Sequence, residues 1–137
     1  MNEITINELK MYSPLQVFLG SLFFGPFTLI FFLWKNFKTM GESAKAKYTL
    51  IFGILFVLLL LLGIQLAPPN INPIISNFII PFLCALAALQ IANSWQMDKE
   101  AIADSMNYNV QSYWRVVAYG LPFYLVWFVM TVAIQLF

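Results

Sequence analysis

Residues 12–41 read YSPLQVFLGSLFFGPFTLIFFLWKNFKTMG, an apolar stretch interrupted at its middle by Gly25-Pro26 and closed by Lys35 and Lys38. Residues 11–34 carry no charge, and roughly 20 apolar residues in a helix suffice to cross a hydrocarbon core of about 30 Å. The stretch reads as membrane-embedded. It fixes class, orientation and helix packing, and it offers no group suited to act as acid, base or metal ligand.

Working outward, the same composition holds along the chain. Of 137 residues, 61% are hydrophobic and 9% charged, far from the roughly 25% charged residues of a soluble domain. The length fits a single transmembrane domain over 1–137. A net charge of +1 argues against a nucleic-acid partner, because phosphate binding requires clustered Lys and Arg on an accessible face. The single cysteine, Cys84, and the lack of histidine argue against an internal disulfide and a Cys- or His-rich metal site. No cofactor, metal site or catalytic residue is expected. The first ten residues hold Glu3, Glu8 and Lys10 rather than the basic opening of a cleavable signal peptide, so the first span is expected to stay in the mature protein.

Four apolar spans follow from the hydropathy, at about 15–34, 48–67, 74–95 and 116–137. The expected fold is all-α, a polytopic membrane protein of four transmembrane helices. Pro26, Pro81 and Pro122 predict kinks in the first, third and fourth, since an internal proline removes a backbone hydrogen bond. Orientation follows from the basic residues. With the loops after spans one and three inside, Lys35, Lys38, Lys45, Lys47, Lys99 and Arg115 are cytoplasmic and only Lys10 is outside, so both termini are expected outside. Trp34, Tyr48, Trp95, Tyr113 and Trp114 fall at the same inner boundary, where amphipathic rings prefer to sit.

Helices in lipid associate through small residues and polar pairs. Ser21 and Gly25 form one small-x-x-x-small pair, and Cys84, Ala88 and Ala92 recur every four residues on the third span. Spans one and three are therefore the expected central pair, and span two the helix most exposed to lipid. Gln90 lies deepest among the uncharged polar groups and is expected to bond across helices. In the connection after span three, Ile102, Met106 and Val110 are spaced by four, which predicts a helix with one apolar face for a partner or the membrane surface. Trp114 and Arg115 suit a lipid head group at the same level.

The elements Tyr12-Ser13-Pro14 with Gln16, Gly25-Pro26, Asn36 with Gly41, and Trp114-Arg115 resemble those of small uncharacterised bacterial four-helix inner-membrane proteins. That resemblance implies a multi-pass protein of the bacterial inner membrane and brings no activity with it. The expected function is non-enzymatic and exercised through helix contacts, as an accessory subunit of a membrane assembly or as a homo-oligomer. Its partners are then the lipid bilayer and a membrane protein or a second copy. The alternative is a small oligomeric channel or carrier for an uncharged or weakly charged solute; the lack of charge within the spans argues against proton coupling.

Overall fold

The computed structural model describes residues 9–96, 99–104 and 108–136. Those residues are mostly helical, and three helices are long and apolar enough to cross a membrane: Ser43–Leu66, Tyr113–Leu136 and the one that begins at Ile75. The fourth expected span, the first in the chain, is not one helix. It forms α1 (Pro14–Phe24) and α2 (Pro26–Thr39), of 11 and 14 residues, hence about 16 and 21 Å long. Neither arm reaches the roughly 30 Å of a hydrocarbon core.

The two arms lie antiparallel. Tyr12, just before α1, is hydrogen-bonded to Asn36 near the end of α2, and Gly20 faces Phe32 and Thr28. What was expected as a proline kink is thus a reversal. Gly25 has φ +93° and ψ −172°, a backbone state that residues with a side chain rarely adopt. Pro26 then starts α2 at a position whose missing N–H would be unpaired anyway. The reversal leaves little polar backbone unsatisfied: the Gly25 amide donates to Ser21 O at 3.1 Å, and the Thr28 hydroxyl to Phe24 O at 3.3 Å.

α1 begins with a reciprocal cap. The Gln16 amide donates to the Ser13 hydroxyl, and the Ser13 amide to Gln16 Oε1, the arrangement that satisfies two of the orphan donors of a helix start. α2 closes at Gly41, φ +77°, where the Glu42 amide reaches back to Phe37 O at 2.9 Å, a Schellman-type ending. α3 (Ser43–Leu66) ends just ahead of Pro68-Pro69, with Ala67 already extended, the geometry that a following proline favours. The return passes through a π-helical turn, Ile75–Ile79, into α4 (Ile80–Trp95). The short α5 (Lys99–Asp104) follows, and α6 (Tyr113–Leu136) runs without interruption through Pro122.

A second departure from the all-α expectation is a two-stranded parallel sheet. β1 (Leu9–Met11) pairs with β2 (Tyr108–Val110), in the register Leu9↔Tyr108 and Met11↔Val110. The pairing ties the start of the chain to the connection between α4 and α6. Leu9 therefore sits at the end of the bundle where α2 meets α3, and Leu136 at the other end.

Packing radiates from the hairpin. α1 packs on α4 and on α6, and α2 on α3, α6 and α4. The main cluster gathers Val17 of α1, Phe32 and Leu33 of α2, Ala88 and Ala92 of α4 and Val116 of α6. A second joins Ile30 to Val57 and Leu61 of α3, with Trp127, Met130 and Ile134 of α6 against it. The helices do not form a closed four-helix bundle but lean on a central wedge made by α1 and α2.

Candidate functional site

Among the described residues, five of the seven buried polar side chains, Ser13, Gln16, Asn36, Gln96 and Gln111, gather at the lysine-bearing end of the wedge, while Ser21 and Thr28 lie nearer its tip. Asn36 is fully buried. Its Oδ1 accepts from the Tyr12 amide at 2.8 Å, and its Nδ2 donates to Tyr12 O at 2.8 Å and to Gln96 Oε1 at 2.9 Å. Gln96, at the C-terminal end of α4, donates onward from Nε2 to Leu33 O at 3.0 Å. Gln16 Nε2 donates to Gln111 O, and the Gln111 amide donates to Met11 O at 2.7 Å. The side chains of Asn36, Gln96 and Gln16, with the main chain of Gln111, thereby join β1, α1, α2, α4 and the connection before α6. Among the described residues no buried side-chain nitrogen or oxygen lacks a hydrogen-bond partner, as an apolar surrounding requires.

The ring of Tyr12 lies 4.2 Å from that of Phe32, tilted by 30°. Burial pushes the Tyr12 phenol up to about 12, with Tyr119 adding to the rise and Arg115 opposing it. The hydroxyl is therefore a neutral group at any physiological pH. Arg115, exposed at the start of α6, is close enough to Tyr12 to act on it electrostatically.

At the other end of the wedge the tip is apolar. Gly25 lies against Trp127, whose Cδ1 would be 3.2 Å from an added Cβ, and Phe24 fills the space over Gly120. Trp127 is 14 residues into α6, about 21 Å from its start at 1.5 Å per residue. The tip thus reaches beyond the middle of α6 and stops short of its far end.

The residues singled out for helix packing fall as follows. Ala88 and Ala92 are buried in the main cluster, and α4, which carries them, packs on α1. Ser21 is buried, with its hydroxyl turned back to Val17 O at 2.6 Å. Gly25 is the reversal, and Cys84 is half-buried. The α1–α4 contact also holds an edge-on ring pair, Phe18 and Phe82, with centroids 5.9 Å apart. Gln90 is exposed and bonds Ser94 on its own helix, 3.2 Å away, rather than reaching a neighbour.

The expected contact stripe after α4 is not a single helical face. Ile102 on α5 is fully buried, and Val110 belongs to β2; Met106 lies outside the described residues. The chain changes from helix to strand between these positions, so a spacing of four does not align them. Trp114, 81% exposed, and Arg115 remain on the outer surface at the start of α6.

Gln96 and Gln111 carry this site although the sequence reading gave them no role. Their signal was weak: each is one amide in a polar connection, and nothing in the local pattern marks it as buried. Comparison with protein-family models, with curated proteins and with solved structures gave no match.

Proposed function

We propose that this is a non-enzymatic protein of the bacterial inner membrane that acts through helix contacts, as an accessory subunit of a membrane assembly or as a homo-oligomer. The observation that carries the reading is the unequal use of α6. Its most apolar window is only 6% buried, yet the helix holds the wedge through Val116, Gly120 and Trp127. One face of α6 is committed to the fold and the rest of a 24-residue apolar surface is free for lipid or another helix. Helix α3, expected to be the most lipid-exposed, is similarly open, with 11% of its own window buried.

The wedge enters and leaves from one side, and orientation changes with it. Lys10 joins Lys35, Lys38, Lys45, Lys47, Lys99 and Arg115 at one end, while residues 67–74 at the other end carry no charge. The bias of basic residues toward the cytoplasm then puts β1 inside and Leu136 outside, in place of both termini outside. In this arrangement the wedge is a re-entrant hairpin, tolerated at membrane depth because its tip is covered by protein.

Extraction in a gentle detergent followed by mass measurement tests the reading. A discrete species heavier than one chain with its detergent is the expected result; a bare monomer overturns it. The reversal at Gly25-Pro26 is what favours the second reading, a channel or carrier, since helix breaks at membrane depth line substrate paths in some transporters. Selective solute flux through the protein in liposomes would favour it over the first.

A further inference from the structure

α3 and α4 stand apart with α2 packed between them, and the space so formed is an apolar groove of about 670 Å³. Ile30 and Leu33 of α2 make its floor, Phe52 and Phe56 of α3 one wall, and Cys84 and Ala87 of α4 the other. Its volume is that of a ligand pocket, commonly about 300–1,000 Å³. Lys45 and Trp95 also line it, at the end where α3 begins and α4 finishes. From Lys45 to Phe56 is 11 residues of helix, and from Trp95 to Leu83, the farthest lining residue on α4, is 12. Those intervals correspond to about 16 and 18 Å, close to half of a hydrocarbon core of about 30 Å. The groove therefore has the depth of one leaflet.

Its rim differs chemically from its body. The end of α2 and the first turns of α3 carry Lys35, Lys38, Lys45 and Lys47 against the single acid Glu42, which pairs with Lys45 at 2.7 Å. The start of α3 has no side-chain cap, so its first amides add positive potential there. We propose that the groove is a binding site for an anionic phospholipid of the leaflet at the lysine end, one acyl chain lying along Phe52 and Ala87 and the phosphate meeting Lys45. The site requires only that the helices lie in a bilayer and does not depend on a protein partner. Ala87 and Cys84 provide the width, because larger side chains there would occupy the chain's path.

The test is native mass spectrometry of the full chain in a gentle detergent, titrated with phosphatidylglycerol or with phosphatidylcholine. One phosphatidylglycerol should bind in preference to phosphatidylcholine. Lys45→Ala should weaken it about fivefold, the effect of one basic residue at an anionic surface. Ala87→Phe and, independently, Cys84→Leu should reduce binding of both lipids while thermal unfolding still shows a folded protein. Equal binding of the two lipids overturns the proposal. So does a preference that Lys45→Ala removes but neither groove-filling variant affects, because the lipid would then meet only the surface charge.

Discussion

Asn36 and Tyr12 exchange two hydrogen bonds, each 2.8 Å, across 24 residues of sequence. The carboxamide of Asn36 takes both the amide and the carbonyl of Tyr12, as a neighbouring strand would. Asn36→Ala leaves two backbone groups and Gln96 Oε1 without their partner in an apolar setting, where each such loss costs about 1–3 kcal/mol. A clear fall in the thermal midpoint in detergent is expected, with Asn36→Leu no better. A midpoint unchanged in both variants would mean that the wedge is held elsewhere.

Sidedness gives a second prediction. In a Cys84→Ala background, Lys10→Cys and Ser43→Cys should react with an impermeant thiol reagent from the same side of the membrane, and Asn70→Cys from the opposite side. Four crossings would instead pair the label at position 10 with that at 70.

The tip gives a third. An added Cβ at Gly120 collides with the Phe24 ring, so Gly120→Val should destabilise by about 1–3 kcal/mol, the usual range for overpacking. Phe24→Ala should offset part of that loss in the double variant. Additive losses, measured by unfolding of the single and double variants, would show that the two positions do not meet.

Tyr12 adds a dependence on pH. Its phenol is raised from 10.0 to about 12 by folding, so the folded state holds the proton where the unfolded chain has released it. The stabilisation is complete below pH 10 and is lost between pH 10 and 12, by an amount on the order of 2 kcal/mol. Tyr12→Phe should remove that part of the alkaline decline relative to the wild type. Parallel declines would place the Tyr12 hydroxyl in water.

Three long helices were legible because hydropathy and length decide them: 48–67 and 74–95 lie close to the helices that form, and 116–137 overlaps the helix Tyr113–Leu136. The first span was misread for a physical reason. Hydropathy has no direction, and two short apolar arms that double back have the same profile as one crossing. The local signal is Gly25 before Pro26, since proline disfavours helical geometry in the preceding residue, and a bend and a reversal share that signal. β1 and β2 were unreadable, because three residues are too few to show alternation and their partners lie far apart in the chain. The Ile102 stripe failed for a related reason: a helical period was projected across a segment that turns into a strand.

The pairing of Leu9 with Tyr108 also sets an order of events at the ribosome. At roughly 5–20 residues per second, the 99 residues from Lys10 to Tyr108 take about 5–20 s to be made. Through that interval β1 has no strand to join, and Asn36 waits for Gln96. The apolar arms of α1 and α2 are made before α4 and α6, which pack on them, so until those helices follow the wedge lacks that part of its cover. A chain cut short after α3 carries the wedge without the elements that lock it.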